Sequence, residues 1–313
     1  MWLPWLRRDG CAIREAVAVG EGLVHYTSPE EDSARWWNFP FRPGDIVVST
    51  RSKSGTTWIQ MICLLLVFGT PELPGHLGAL SPWLDWLVRP EDEVFTHLAA
   101  QTQRRVIKTH TPLDGVPLHA HATYIVVGRH PLDMAVSLYH HGNNIDRHRM
   151  AELTGRPAVA RPPRPPLHQW LVGFVDWEGD PRQWLDTLPG VLLHLSDAWA
   201  RRHRPNIVLV HYDDLVTDLD GSMRRLAGVL GIPVDEQRWP ALVQAATFEA
   251  MRTGASAPDT LGVLKDPAAF FRQGKSGVGR ALLTAVELAH YRDRVRAMAP
   301  TDLLDWLQRD GRA

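Results

Sequence analysis

"GDIVVSTRSKSGTTWIQ", residues 44–60, passes from strand to loop to helix within a few residues. Ile46, Val47 and Val48 form a short β-branched run after Pro43-Gly44, which reads as a buried strand over 44–50. From about Thr56 to Phe68 the chain is apolar and helical in pattern. Between them lies a loop that looks like a phosphate-binding loop in the wrong order. The usual nucleotide loop, G-x-x-x-x-G-K-[ST], has its lysine after the last glycine; here Lys53 precedes Gly55, and Thr56 and Thr57 follow. Gly55 lets the backbone approach an anion closely. The amides of Gly55, Thr56 and Thr57 are expected to point out of the helix start, where the dipole is positive. Lys53 reaches the same anion from the leading edge, and Trp58 offers a flat face to a base.

Three further strands follow: "RRVIKTH" (104–110), "ATYIVVGR" (122–129) and "PNIVLVHY" (205–212). Helical patterns start near Pro131, a good first-turn residue, and fill 190–203, 218–231, 235–250 and 282–298. Strands alternating with helices indicate an α/β fold with a central parallel sheet covered on both faces. Ligands in such sheets bind beyond the carboxyl ends of the strands. The loop at 51–57, Lys108 to His110, Arg129 and Tyr212 all lie at such ends, so four strand ends converge on one edge. The stretch "GRPAVARPPRPP" (155–166) is too rich in Pro and Arg for regular structure and reads as a flexible surface loop. No repeat or linker divides the chain, so residues 1–313 read as a single domain.

Bulk composition narrows the partners. The chain is 44% hydrophobic and 22% charged, with a formal net charge of −1. That supports a sizeable core and offers no global field for nucleic acid or an anionic membrane. Any anion site is therefore local. The two cysteines, Cys11 and Cys63, do not suggest a disulfide framework. "MWLPWLRR" is too short for a secretory signal, and no run reaches membrane-spanning length. These features predict a cytoplasmic protein without stable membrane insertion. Of 34 basic residues only four are lysines: Lys53, Lys108, Lys265 and Lys275. Two of the four fall at the strand ends just described, where a compact ammonium suits an anion.

Two other stretches extend the anion reading. "GRHPLDMAVSLYHH" (128–141) puts Arg129 at a strand end and Ser137 two helical turns on. Arg129 can fork onto a phosphate. "FFRQGKSGVGR" (270–280) is a glycine-rich loop carrying Arg272, Lys275 and Arg280. Together with K-S-G-T-T-W these stretches resemble the cytosolic sulfotransferase family. Its first motif looks like T-Y-P-K-S-G-T-T-W. Its second, R-x-P-x-D-x-x-x-S, fits Arg129, Pro131, Asp133 and Ser137, and its third, R-K-G-x-x-G, is met by Arg272, Gly274 and Gly277. The resemblance spans about residues 38–297 in order and spacing. It implies a fold similar to P-loop nucleotide kinases and transfer of a sulfuryl group from 3′-phosphoadenosine 5′-phosphosulfate (PAPS), leaving PAP, with no metal.

By carry-over, Lys53, Ser54, Gly55, Thr56 and Thr57 hold the 5′-phosphosulfate, and Trp58 lies against adenine. Arg129 and Ser137 hold the 3′-phosphate, with Arg272, Gln273 and Gly274 from the third motif. Tyr212 matches a tyrosine near the adenosine; Thr247, Phe248 and Met251 match the segment flanking adenine. The K-T-H at 108–110 places Lys108 and His110 on the same side of a strand end. The resemblance makes His110 the general base, with Lys53 and Lys108 neutralising the departing phosphate. An imidazole near its ordinary pKa of about 6.5 suits that task.

Trp83, Trp86, Phe95, Trp170 and Phe174, with Trp177, fall in segments that line the acceptor pocket in the family. Aromatic walls suit a hydrophobic alcohol, phenol or lipid. "SPWLDWL" (81–87) and the Pro-rich loop read together as a lid. The chain departs from the family at Gln273, where a lysine is usual, and at Ala246, where many relatives have threonine. Arg280 and Thr284 fit a known dimer motif but Ala285 and Ala289 do not, which leaves the oligomeric state open. The histidines of "HAH" (119–121) and "HH" (140–141) lack the further ligands a metal needs. Two alternatives stand beside the transferase: a P-loop kinase or NTPase through the G-K-S of 274–276, and a non-catalytic PAP-binding protein.

Overall fold

The computed structural model describes residues 18–19, 22–157, 163–253, 261–272 and 274–309. Among them, four strands form one sheet: β1 (Ile46–Ser49), β2 (Val106–Thr109), β3 (Thr123–Gly128) and β4 (Ile207–His211). They run in the order β2-β1-β3-β4, all parallel. Val47 sits beside Ile107 on one neighbour and Tyr124 on the other. A two-stranded antiparallel pair, Ala18–Val19 with Leu23–Val24, lies apart from this sheet.

The helices are α1 (Thr56–Phe68), α2 (Pro131–Asn144), α3 (Leu167–Asp176), α4 (Leu188–Ala200), α5 (Tyr212–Thr217), α6 (Leu219–Leu230), α7 (Trp239–Ala245), α8 (Phe248–Thr253), α9 (Val278–Ala281), α10 (Ala285–Met298) and α11 (Thr301–Gln308). Two further helices cover Glu91–Ala100 and Arg147–Thr154, and shorter helical turns cover Ser33–Trp36, Leu77–Leu80, Leu113–Gly115 and Ala268–Phe270.

Alternation along each strand divides the core. Val47, Ile107, Tyr124, Val126 and Ile207 face a cluster built from α2, α3, α4, α10 and α11. Ile46, Val48, Val106, Ile125 and Val127 face a second cluster with α1, α6, α7 and α8. Both faces are covered, which is why the strands read as continuous apolar runs. α1 is apolar on nearly every side because it is buried on nearly every side. The pattern expected over 235–250 divides into α7 and α8, because the hydroxyl of Thr247 accepts from Ala250 N–H at 3.2 Å and starts a new helix.

The order of the strands fixes where a ligand can sit. After β1 the chain crosses to one edge of the sheet, and after β2 it returns to the other side of β1. The carboxyl ends of β1 and β3 therefore flank the switch point, where open α/β sheets leave a crevice. The opposite rim is closed by a buried ion pair, Arg105 Nε to Asp45 Oδ1 at 2.8 Å. No helix among the described residues is long and apolar enough to cross a membrane.

Candidate active site

The loop after β1 is wound by two left-handed residues, Lys53 (φ 64°) and Gly55 (φ 113°). Lys53 is costly there, since a residue with a Cβ rarely adopts positive φ outside functional loops. At Gly55 a Cβ would meet the Tyr212 ring at 3.0 Å, so only glycine seats the loop on α5. Among the described residues no side chain caps the start of α1. Its first amides are thus placed as anion donors at the positive end of the dipole. Thr56 and Thr50 join hydroxyls beneath the loop, and Ser54 is buried within it.

Cations gather above these amides. Lys53 Nζ lies 3.8 Å from the centre of the Phe270 ring, and burial, then Arg129 and Lys108, push its pKa down to about 7. Lys108 Nζ lies 3.6 Å from the centre of Trp83, and burial lowers it to about 8 against the pull of Glu31 and Asp85. Arg129 donates to Lys53 O at 2.9 Å and to Lys275 O at 3.3 Å, so it ties the first loop to the glycine-rich loop. Its guanidinium rests 4.2 Å from the centre of Tyr212, and its buried Nε has no partner among the described residues. Burial and then Arg129 lower the pKa of Arg272, while Arg272 in turn lowers His140 after burial. Burial beside like charges marks a site whose positive groups are held together before their anion arrives.

His110 stands beside them, buried at the end of β2. Its Nδ1 bonds to the carbonyl of Thr50, which requires the proton on Nδ1 and leaves Nε2 as the bare lone pair. The Trp83 ring meets the imidazole edge-on at 4.6 Å. Arg51 donates to the backbone oxygen of His110 and to Asp186 Oδ1 at 2.6 Å, just before α4. The sequence expectation of an imidazole near its ordinary pKa is corrected. Burial, then Lys108 and Arg51, hold it well below that value, so the ring is neutral.

The glycine-rich loop is held by α2. Asp133 Oδ2 accepts from Gly277 N at 2.8 Å and Oδ1 from Gly279 N at 2.7 Å. A Cβ at Gly279 would meet the backbone of Leu132 at 2.4 Å, so the approach needs glycine. Gly274 (φ 61°) lies on the face of Phe248, and Ser276 bonds to Asp213. Among the described residues no strand leads directly into the G-K-S of 274–276; the short turn Ala268–Phe270 does, which removes the main support for a kinase loop.

The structure brings together Lys53, Ser54, Gly55, Thr56, Thr57, Lys108, His110, Arg129 and Tyr212. Ser137 is half-buried on α2, two turns beyond Arg129. Gln273 lies outside the described residues. Trp58 is only 7% exposed, with Nε1 donating to Ala246 O at 2.8 Å, and Met251 is 1% exposed. Both therefore offer little open face for a base and belong to the core under the site.

Among the aromatic residues, Trp83 and Trp86 stack at 5.0 Å beside His110 and Lys108. The other three pack on other partners. Phe95 packs on Phe39 at 5.4 Å, and Phe39 carries Arg105 at the opposite rim of the sheet. Trp170 and Phe174 stack on each other at 5.8 Å inside the core against α2; Trp177 is buried too. The expected lid at 81–87 is a fixed wall, since Lys108 N donates to Pro82 O at 2.9 Å and Leu84 N to Lys108 O at 3.1 Å. Residues 158–162 of the Pro/Arg-rich loop, and the N-terminal stretch, lie outside the described residues. The sequence reading missed Arg51, Asp186 and Phe270, and the anchoring task of Asp133. Only Asp133 carried a signal, as part of the second motif.

A family model described as "Sulfotransferase domain" matches residues 43–296. A protein named "Glycolipid sulfotransferase" from Mycobacterium bovis is 42% identical, covering 90% of this chain and 93% of that protein. Human "Sulfotransferase 2B1" is 30% identical, covering 70% of this chain and 55% of its own length. Among solved structures, retinol dehydratase with androsterone and inactive cofactor PAP superposes with a TM-score of 0.67 at 24% identity, covering 85% of this chain and 83% of its own. Mouse sulfotransferase SULT7A1 with PAP gives 0.65 at 19% identity, covering 88% and 91%. At such identities the structures speak to the fold.

Proposed function

The chain belongs to the sulfotransferase family, and from that premise we propose that it moves the sulfuryl group of PAPS to a hydroxyl of a glycolipid-type acceptor, with His110 as general base. PAPS supplies the activated sulfuryl group and a phosphate leaving group. The residues present fit it. Burial and then Arg129 lower the pKa of Lys53 and Arg272 near the start of α1, and Arg129 keeps a buried Nε without a partner among the described residues. Lys53, Ser54, Gly55, Thr56 and Thr57 would hold the 5′ end. Arg129, Ser137, Arg272, Gln273 and Gly274 would hold the 3′-phosphate, with Tyr212, Thr247 and Phe248 beside the nucleoside. The acceptor class comes from the mycobacterial relatives' name and from the Trp83–Trp86 wall beside His110.

The chemistry follows from the protonation states. Nε2 of His110 takes the hydroxyl proton as the oxygen–sulfur bond forms. As the bond from sulfur to the phosphate oxygen breaks, its electron pair stays on that oxygen, where Lys53 and Lys108 meet it. Preorganised charge of this kind often supplies the largest catalytic term. No step in this scheme calls for a metal. The two apolar clusters share one sheet, which supports a single domain. The observation that carries the reading is the Nδ1 bond of His110 to Thr50 O, which leaves a neutral Nε2 unprotonated on a ring next to Lys108.

The test replaces His110 by Ala and by Gln. With PAPS and an octyl glycoside as acceptor, turnover should fall by about 10²–10⁴-fold. Calorimetry should find PAP affinity within about threefold of wild type, since neither change touches the amides or Arg129. Retained turnover in both variants would remove His110 as the base. Failure of the wild type to bind PAP would remove the cofactor reading.

A further inference from the structure

His141, near the end of α2, is half-buried, and its Nδ1 is closed to solvent. That nitrogen has no hydrogen-bond partner among the described residues. Buried polar atoms are almost always paired, so an orphan of this kind in a reaction centre points to a partner that arrives with the substrate. The ring meets Phe270 edge-on at 5.7 Å, and the same Phe270 carries Lys53 on its face. His141 therefore stands close to Lys53 and Lys108, while His110 occupies the end of β2.

The ring's charge is settled by its surroundings. Burial, then Lys53, Lys108 and Arg164, lower its pKa to about 3. A neutral imidazole has one N–H and one lone pair. Whichever of the two Nδ1 carries, it can pair with a hydroxyl, which both donates and accepts. A phosphate or sulfate oxygen, which only accepts, would be served better by the cations already present. The orphan nitrogen thus suits the acceptor rather than the nucleotide.

We propose that His141 is a specificity-determining residue that hydrogen-bonds a second hydroxyl of the acceptor, next to the one that is sulfated, so that the site favours a vicinal diol such as a sugar ring. The inference rests on the sulfotransferase reading above. It makes a distinct claim, because a simple alcohol would react without this contact and leave Nδ1 unpaired. A site built to pair a hydroxyl discriminates against the analogue that lacks it, through the polar group left stranded.

The experiment compares 4-octylcyclohexane-1,2-diol with 4-octylcyclohexanol in wild type, His141→Phe and His141→Asn, with PAPS as donor and products read by mass. PAP affinity is measured by calorimetry in parallel. Wild type should prefer the diol by about 10- to 100-fold in kcat/KM, the range expected of one buried hydrogen bond. His141→Phe should bring that ratio near one by slowing the diol, with the mono-alcohol and PAP affinity within about twofold of wild type, as for an isolated contact. His141→Asn should recover part of the preference. Equal losses on both acceptors, or a wild-type ratio near one, overturn the proposal. A wild type that binds PAP but sulfates neither compound removes the acceptor reading and this role with it; one that fails to bind PAP removes the nucleotide reading itself.

Discussion

Replacing Asp133 by Ala tests whether one carboxylate holds the glycine-rich loop over the nucleotide. Its two oxygens accept from Gly277 N at 2.8 Å and Gly279 N at 2.7 Å. A hydrogen bond to a charged group contributes about 1.5–3 kcal/mol, so the two together set an upper bound of about 3–6 kcal/mol. Gly277 is half-exposed, and water can replace the lost acceptor there; Gly279 is buried, and its N–H would stay unpaired. Counting the first bond at about half leaves about 2–4 kcal/mol against the docked loop. At about 1.4 kcal/mol per factor of ten, that is about 30- to 1,000-fold. Gly274 on Phe248 and Ser276 on Asp213 still hold part of the loop, which favours the lower end. Calorimetry with PAP should therefore show affinity weaker by about 30-fold in Asp133→Ala. Asp133→Asn keeps one acceptor and should lie between, near tenfold by the same scale. Turnover at saturating PAPS should change little, because His110, Lys53 and Lys108 sit on other loops. If Asp133→Ala binds PAP as wild type does, either the loop stays docked without the carboxylate or it makes no part of the clamp.

Arg51 and Asp186 offer a test of positioning. Arg51 lowers the pKa of His110, alongside Lys108 on its own strand and His194 on α4, so Arg51→Gln should raise it. The acid limb of kcat/KM should then move to higher pH, with kcat lowered about tenfold as the clamp on the His110 carbonyl is lost, in the range for a misplaced base. Asp186→Asn should lower kcat without that shift in sign, and PAP affinity should hold in both; an unmoved acid limb in Arg51→Gln would refute the electrostatic part. Binding should also take up protons. Lys53, near 7, and Lys108, near 8, are partly deprotonated in the free protein around pH 8. A nearby phosphate favours the charged ammonium and raises both values, so PAP affinity should fall as pH rises through 7–8. Calorimetry in buffers of different ionisation enthalpy should report net uptake, largest near pH 8; net release would contradict the placement of the lysines.

Sequence alone determined the parts that depend on short range. The strand, loop and helix of 44–68 follow from a β-branched run, a glycine and an apolar helix, and each lies where the pattern placed it. The same holds for Lys108 and His110, because alternation along one strand sets their common side. Tertiary structure decided what depends on which distant segments meet. Phe95 and Trp83 look alike in sequence, yet one packs at the Arg105 rim and the other on Lys108. The neutral state of His110 is likewise set by burial and by charges from β2 and the loop after β1, and its tautomer by the carbonyl of Thr50. Arg51 finds Asp186 across a sequence separation of 135 residues, and no local pattern announces that pairing. The unpaired nitrogen of His141 is visible only when every neighbour is in place, since a hydrogen bond depends on atoms within about 3 Å whatever their distance along the chain.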